Sequence, residues 1–198
     1  MLDSQNIKAV AKLKPDYLGF IFYVKSPRYA ALVDKLVLFS LPSTIKKVGV
    51  FVNESVEVMR EMAKAYGLDV LQLHGGETTI QCLQLREEGF TIIKAFSISQ
   101  SSDFEDICHY EGCCDYFLFD TKTPQHGGSG IKFDWALLDI YQGETPFFLS
   151  GGIDLEDVEA ILKLKYPKFA GIDLNSRFEL EPGLKNVEKL EHFLERIR

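Results

Sequence analysis

Asp120 closes the apolar run YFLF (residues 116–119) and opens a loop that holds Gly127, Gly128 and Gly130. A carboxyl at the end of a buried strand is partly desolvated, and desolvation favours the protonated form that a general acid must supply. The competing reading is a helix cap or an ion-pair partner for Lys122 or Lys132. Arg28, in KSPRY, offers either a planar cation for an anionic ligand or a solvated loop charge. His74, in LQLHGGE, offers an imidazole that titrates near neutrality or a hydrogen-bonded structural ring. Further along, Gly151 and Gly152 in SGGID either let the backbone approach a phosphate closely or make a tight turn. Asp154 would then open a helix whose N–H groups point at the anion. Asp173 and Ser176, in DLNSRF, complete the set, Ser176 with a hydroxyl to donate. Asn53 and Glu54 read as caps for a helix starting near Ser55.

These residues share one property: each lies just past a segment with strand character. The strands expected are 17–22, 47–52, 70–73, 91–97, 116–120, 147–150 and 171–174, all rich in β-branched and aromatic residues. Segments of helical period follow them, at about 30–39, 55–66, 78–88, 102–110, 134–140, 155–163 and 184–197. One more helix, capped by Asp3 or Ser4 and carrying Ile7, Val10 and Ala11 on one face, comes before the first strand. Alternating units of this kind wind a parallel sheet, and their spacing predicts a (β/α)8 TIM barrel over a single domain, residues 1–198. Eight helices against seven strands make the barrel incomplete, with the first strand absent from the chain. In such a barrel the strand ends converge on one mouth, and phosphate sites commonly follow the last two strands.

Composition narrows the partners. Twenty-two basic residues against 29 acidic ones give a net charge of −7, and no basic run marks a nucleic-acid or anionic-membrane footprint. No apolar run reaches transmembrane length and the first residues lack signal-peptide character, so a cytoplasmic protein is expected. The four cysteines, Cys82, Cys108, Cys113 and Cys114, form no metal-binding CxxC pair and read as mostly buried structural thiols. No metal is expected.

Taken in order, GFIFYVKSPRY, VGVFVNE, LQLHGGE, DTKTPQHGGSG, FDW, LSGGI and DLNSRFE resemble the phosphoribosylanthranilate isomerase family of tryptophan biosynthesis across essentially the whole chain. The resemblance implies an Amadori rearrangement of N-(5-phosphoribosyl)anthranilate to 1-(2-carboxyphenylamino)-1-deoxyribulose 5-phosphate, with no metal or organic cofactor, in a monomer or homodimer. It implies Asp120 as the general acid, Arg28 as the holder of the anthranilate carboxylate and Gly151, Gly152 and Ser176 as phosphate contacts. His74 and Asp173 fall among the substrate-binding positions, and Gly128 belongs to a loop expected to close over the substrate. The family's general base is a cysteine in a KxCG motif on the first strand, which this sequence does not contain. Arg177 stands where glycine is common in the family. A catalytically impaired, phosphate-binding barrel remnant is the alternative that the missing cysteine raises.

Overall fold

The computed structural model describes residues 1–121 and 132–198. Seven parallel strands form one curled sheet in sequence order: β1 Tyr17–Ile21, β2 Lys46–Phe51, β3 Val70–Leu73, β4 Thr91–Ile98, β5 Tyr116–Thr121, β6 Phe147–Leu149 and β7 Phe169–Ile172. Strict in-order parallel pairing is what a chain of right-handed β-α units produces. Among the described residues the sheet does not close: β1 and β7 are its two edges and do not pair with each other. This is an incomplete (β/α)8 barrel.

Period-2 alternation divides the core in two. Phe20, Phe51, Leu71, Leu73, Phe117, Phe119, Phe147 and Leu149 point outward into the helical layer and are essentially inaccessible. Val48, Val70, Ile93, Ala95 and Leu118 make a smaller cluster, against which Tyr17, Val50, Tyr116 and Phe148 pack. All four residues of β3, in the middle of the sheet, are buried, whereas none of β7 is. The open edge leaves Gly19 and Ala170 exposed where a neighbouring strand would cover them.

The helices are α1 Ser4–Lys12, α2 Lys35–Phe39, α3 Val56–Tyr66, α4 Thr79–Glu87, α5 Val158–Leu162 and α6 Val187–Ile197. Local chemistry sets where they begin. The Asp3 carboxylate accepts from Asn6 N at 2.7 Å, Ser55 Oγ from Val58 N at 3.2 Å, and Thr78 with Gln81 makes a reciprocal capping box. Ser55, rather than the expected Asn53 or Glu54, therefore caps α3. The helix expected over 30–39 starts only at Lys35, because Ala30 N is still bonded to Ile21 O and Asp34 caps α2. The segments expected as helices at 102–110 and 134–140 are 3-10 turns, Ser101–Phe104 with Ile107–Tyr110 and Trp135–Ile140.

Two more differences bear on the site. The last sheet strand runs over Phe169–Ile172 rather than 171–174, which puts Asp173 just beyond its end. The stretch before α6 begins as an antiparallel hairpin, β8 Glu179–Glu181 with β9 Leu184–Lys185, in which Glu179 lies opposite Lys185. Among the described residues no helix is long and apolar enough to cross a membrane, and no group of three or more His, Cys, Asp or Glu could hold a metal ion.

Candidate active site

A cavity of about 920 Å³ opens at the C-terminal ends of the strands and extends into the slot between β1 and β7. Arg28, His74, Asp120, Gly151, Gly152, Asp173 and Ser176 all line it, so seven of the residues read from sequence meet at one mouth. Gly127, Gly128 and Gly130 lie outside the described residues.

Asp120 points inward from the end of β5 and is 9% exposed. Its Oδ1 accepts from Thr121 N at 2.8 Å, and its Oδ2 lies 3.3 Å from His74 Nε2. Lys132, a partner expected as one alternative, pairs instead with Asp157 at 2.7 Å, while Lys122 lies outside the described residues. Two residues before His74 on the same face, Gln72 places its Nε2 amide 2.8 Å from His74 Nδ1. With the amide assigned this way Nδ1 accepts, so the ring carries its proton on Nε2 and donates it to Asp120. Gln72 is a site residue that the sequence reading passed over. Its signal was a polar residue at mid-strand, in phase with His74.

A second hydrogen-bonded pair sits beside the first, past the adjoining ends of β6 and β7. Ser150 Oγ donates to Asp173 Oδ2 at 3.0 Å. Asp173 is exposed where it lines the cavity. Its pKa is raised, chiefly by desolvation and also by the neighbouring Asp120, against the opposing pull of Lys185.

Gly151 and Gly152 both have positive φ, +93° and +66°. A Cβ on Gly151 would sit 2.2 Å from Thr121 Oγ1 and 2.9 Å from Asp120 Oδ1, so this turn requires glycine and packs directly against the Asp120 side chain. The N–H groups of Gly151, Gly152 and Ser176 donate to no acceptor among the described residues, which suits an anion. The helix start beyond them contributes less than expected. Asp154 and Asp157 take the N–H groups of Leu155 and Asp154 at 2.7 Å each, and a 3-10 turn intervenes before α5.

Arg28 reaches the cavity from the loop after β1, held by a carboxylate that sequence reasoning missed. Its Nε and Nη2 donate to Glu179 at 2.9 and 2.7 Å, leaving Nη1 with no acceptor among the described residues. Glu179 also accepts from Gly183 N at 3.1 Å and lies 3.3 Å from Lys185 Nζ. Burial works to raise the Glu179 pKa, but the Arg28 bonds and the two cations outweigh it and hold it low. Lys185 in turn donates to Asn175 Oδ1 at 2.8 Å, beside Ser176, and burial lowers its pKa. Glu179 is 151 residues from Arg28 in sequence, a separation that no local motif spans.

None of the four cysteines lines the cavity. Cys82 is buried on α4, Cys113 and Cys114 are buried ahead of β5, and Cys108 is exposed in a 3-10 turn.

Comparison with known proteins agrees with the geometry. The family model for N-(5'phosphoribosyl)anthranilate isomerase matches residues 1–196. The N-(5'-phosphoribosyl)anthranilate isomerase of Parabacteroides distasonis is 50% identical over 199 aligned positions, covering 100% of this chain and 90% of that protein. The phosphoribosyl anthranilate isomerase of Thermotoga maritima superposes with a TM-score of 0.85 at 31% identity, covering 100% of this chain and 95% of that one. A relative at 28% identity and TM-score 0.82, matched over 100% of this chain and 94% of its own, was solved with reduced 1-(o-carboxyphenylamino)-1-deoxyribulose 5-phosphate bound. By full-length family match and by identity, the chain belongs to the N-(5'-phosphoribosyl)anthranilate isomerase family.

Proposed function

We propose that the cavity binds N-(5-phosphoribosyl)anthranilate and that Asp120 is the general acid of its Amadori rearrangement. The observation that carries this reading is the position of Asp120, inward at a strand end between an imidazole N–H and the glycine turn. In its protonated form Asp120 delivers a proton to the ribose ring oxygen. The C1–O bond breaks, the ring opens, and the anthranilate nitrogen becomes part of a protonated Schiff base. The carboxylate left on Asp120 is stabilised by the His74 N–H and by Thr121 N. Removal of the C2 proton then gives an enolamine that tautomerises to the aminoketose.

Substrate contacts follow from charge. The phosphate lies against the N–H groups of Gly151, Gly152 and Ser176, with Arg177 nearby on the cavity wall. The anthranilate carboxylate takes the free side of Arg28. Asp173, which lines the cavity, holds a substrate hydroxyl. We place the Gly127, Gly128 and Gly130 loop over the bound sugar, the reaction in the cytoplasm and the protein as a monomer or homodimer; a Thermotoga maritima relative is dimeric.

The C2 proton needs a base, and no cysteine of this chain stands at the mouth. In this reading the thiolate comes from a strand lying in the slot between β1 and β7. The test is turnover of phosphoribosylanthranilate by the 198-residue chain beside the same chain extended by a KxCG-bearing strand. Turnover by the extended chain alone supports the assignment, with the base worth roughly 10²–10⁴-fold. Equal turnover by both would show that the base lies elsewhere.

A further inference from the structure

Glu179 sits behind Arg28 and does not line the cavity, while Arg28 and Lys185 both do. We infer that Glu179 is a positioning residue that gives the site its selectivity for a ligand bearing an aromatic carboxylate as well as a phosphate. The inference rests on the reading of Arg28 given above and adds to it the group that aims the guanidinium.

Three observations converge. First, the contact is two-toothed: Arg28 Nε lies 3.2 and 2.9 Å from the two Glu179 oxygens and Nη2 lies 2.7 Å from one of them. A planar fork held along one edge can present only the other, so the Nη1 side is fixed toward the ligand. Second, Glu179 is itself immobilised. Its side chain is 4% exposed, Gly183 N donates to it, and Lys185 faces it across the β8–β9 hairpin. That hairpin is tied to α1 by paired bonds between the Asn6 side chain and the Lys185 backbone, 2.8 Å each. Third, the charges leave a remainder. Arg28 and Lys185 both pull on Glu179, but Lys185 is shared with Asp173, so the cationic surface left to a ligand is the unpaired Nη1 edge of Arg28, the complement of one ligand carboxylate.

Lys185 extends the arrangement to the other end of the ligand. It donates to the backbone and side-chain oxygens of Asn175, next to Ser176, at 3.1 and 2.8 Å. Arg28, Glu179, Lys185 and Asn175 thus form one continuous polar chain between the carboxylate position and the phosphate turn, fixing the distance between the two anionic groups that fit.

The experiment measures equilibrium binding, because it needs no turnover. The 198-residue chain and its Glu179→Gln variant are titrated with reduced 1-(o-carboxyphenylamino)-1-deoxyribulose 5-phosphate and with the anilino analogue that lacks the ring carboxylate. Expected is an affinity loss of about tenfold or more for the carboxylated compound in Glu179→Gln, one charge-assisted contact misplaced, with the anilino affinity unchanged. In an Arg28→Met background the same change adds nothing. Equal loss for both compounds would mean general damage, and tighter binding of the carboxylated one would mean that Glu179 competes with it; either overturns the inference. If Glu179→Gln does not fold by circular dichroism, Glu179→Asp carries the same ratio test, since the shorter side chain keeps the charge and loses the two-toothed reach. Binding of neither compound by the parent chain removes the reading of the site itself, and binding without preference removes the role of Arg28, so each failure is separately visible.

Discussion

Replacing Gly151 with alanine isolates the contact between the glycine turn and the acid, because the fold supplies its own control. Gly151 and Gly89 have the same φ, +93°, but a Cβ on Gly89 would meet nothing within 4 Å. Alanine at either site pays for the left-handed backbone, about 1–2 kcal/mol. At Gly151 it also meets Thr121 Oγ1 at 2.2 Å, Thr121 N at 2.7 Å and Asp120 Oδ1 at 2.9 Å. Thr121 cannot simply rotate away: it is buried and its hydroxyl accepts from Phe133 N at 3.1 Å. Overpacking of this kind costs about 1–3 kcal/mol. Urea unfolding should therefore show Gly89→Ala losing about 1–2 kcal/mol and Gly151→Ala about 2–5 kcal/mol, with unchanged m-values. Equal losses would refute the claim that the turn is packed against the end of β5.

The remaining predictions concern charge. Arg28→Ala should raise KM with little change in kcat if the guanidinium binds the substrate carboxylate in ground and transition states alike; steady-state kinetics on the strand-extended chain decide this, and an unchanged KM removes the role. Lys94→Met strands the fully buried Glu77, which lies 3.3 Å from Lys94 Nζ, and should cost about 3–5 kcal/mol in chemical denaturation. The Lys94→Met, Glu77→Gln pair should recover part of that loss, and no recovery would show that the other Lys94 bonds, to Leu73, Gly75 and Ala95 carbonyls, carry the effect. The Glu179 pKa is held below its ordinary 4.5, so its stabilisation is complete above that pH and fades as pH falls through the lower, folded value. The stability gap between the parent and Glu179→Gln should thus be constant near neutrality and narrow below about pH 4.5; a gap that persists in acid would contradict the assignment.

How far the molecule could be read from its sequence depended on how local each signal was. The central strands were visible because strands buried on both faces are continuous apolar runs, whereas β7, with no buried residue, was read two residues late; the strand order follows from the alternation with helices. The absence of a closing strand showed in the same rhythm and reappears as the exposed edges of β1 and β7. The helical layer was less legible. Residues 101–110 carry DFED, in which Asp103 turns back to accept from Ser99 N at 2.8 Å, and such side-chain competition with the backbone favours short turns over a helix. The β8–β9 hairpin was announced only by Pro182-Gly183, too little for strands of three and two residues.

In the site, residues at strand ends were legible because the architecture itself dictates where they converge. His74 and Asp120 were identified separately, but their 3.3 Å contact depends on the tilt of β3 and β5, which no spacing encodes. Gln72 was within reach of a period-2 argument. Glu179 and Lys185 were not, since their importance arises from contacts with Arg28 and Asn175 made across the open end of the barrel.

The most direct test of the whole account is the kcat of the strand-extended chain on phosphoribosylanthranilate with Asp120 and with Asp120→Asn, binding of the reduced product analogue serving as the check on folding. Asparagine keeps the volume and cannot deliver the proton, so the account predicts a fall of roughly 10²–10⁴-fold in kcat with binding retained. An unchanged kcat would contradict the assignment of the acid and with it the mechanism built on this site.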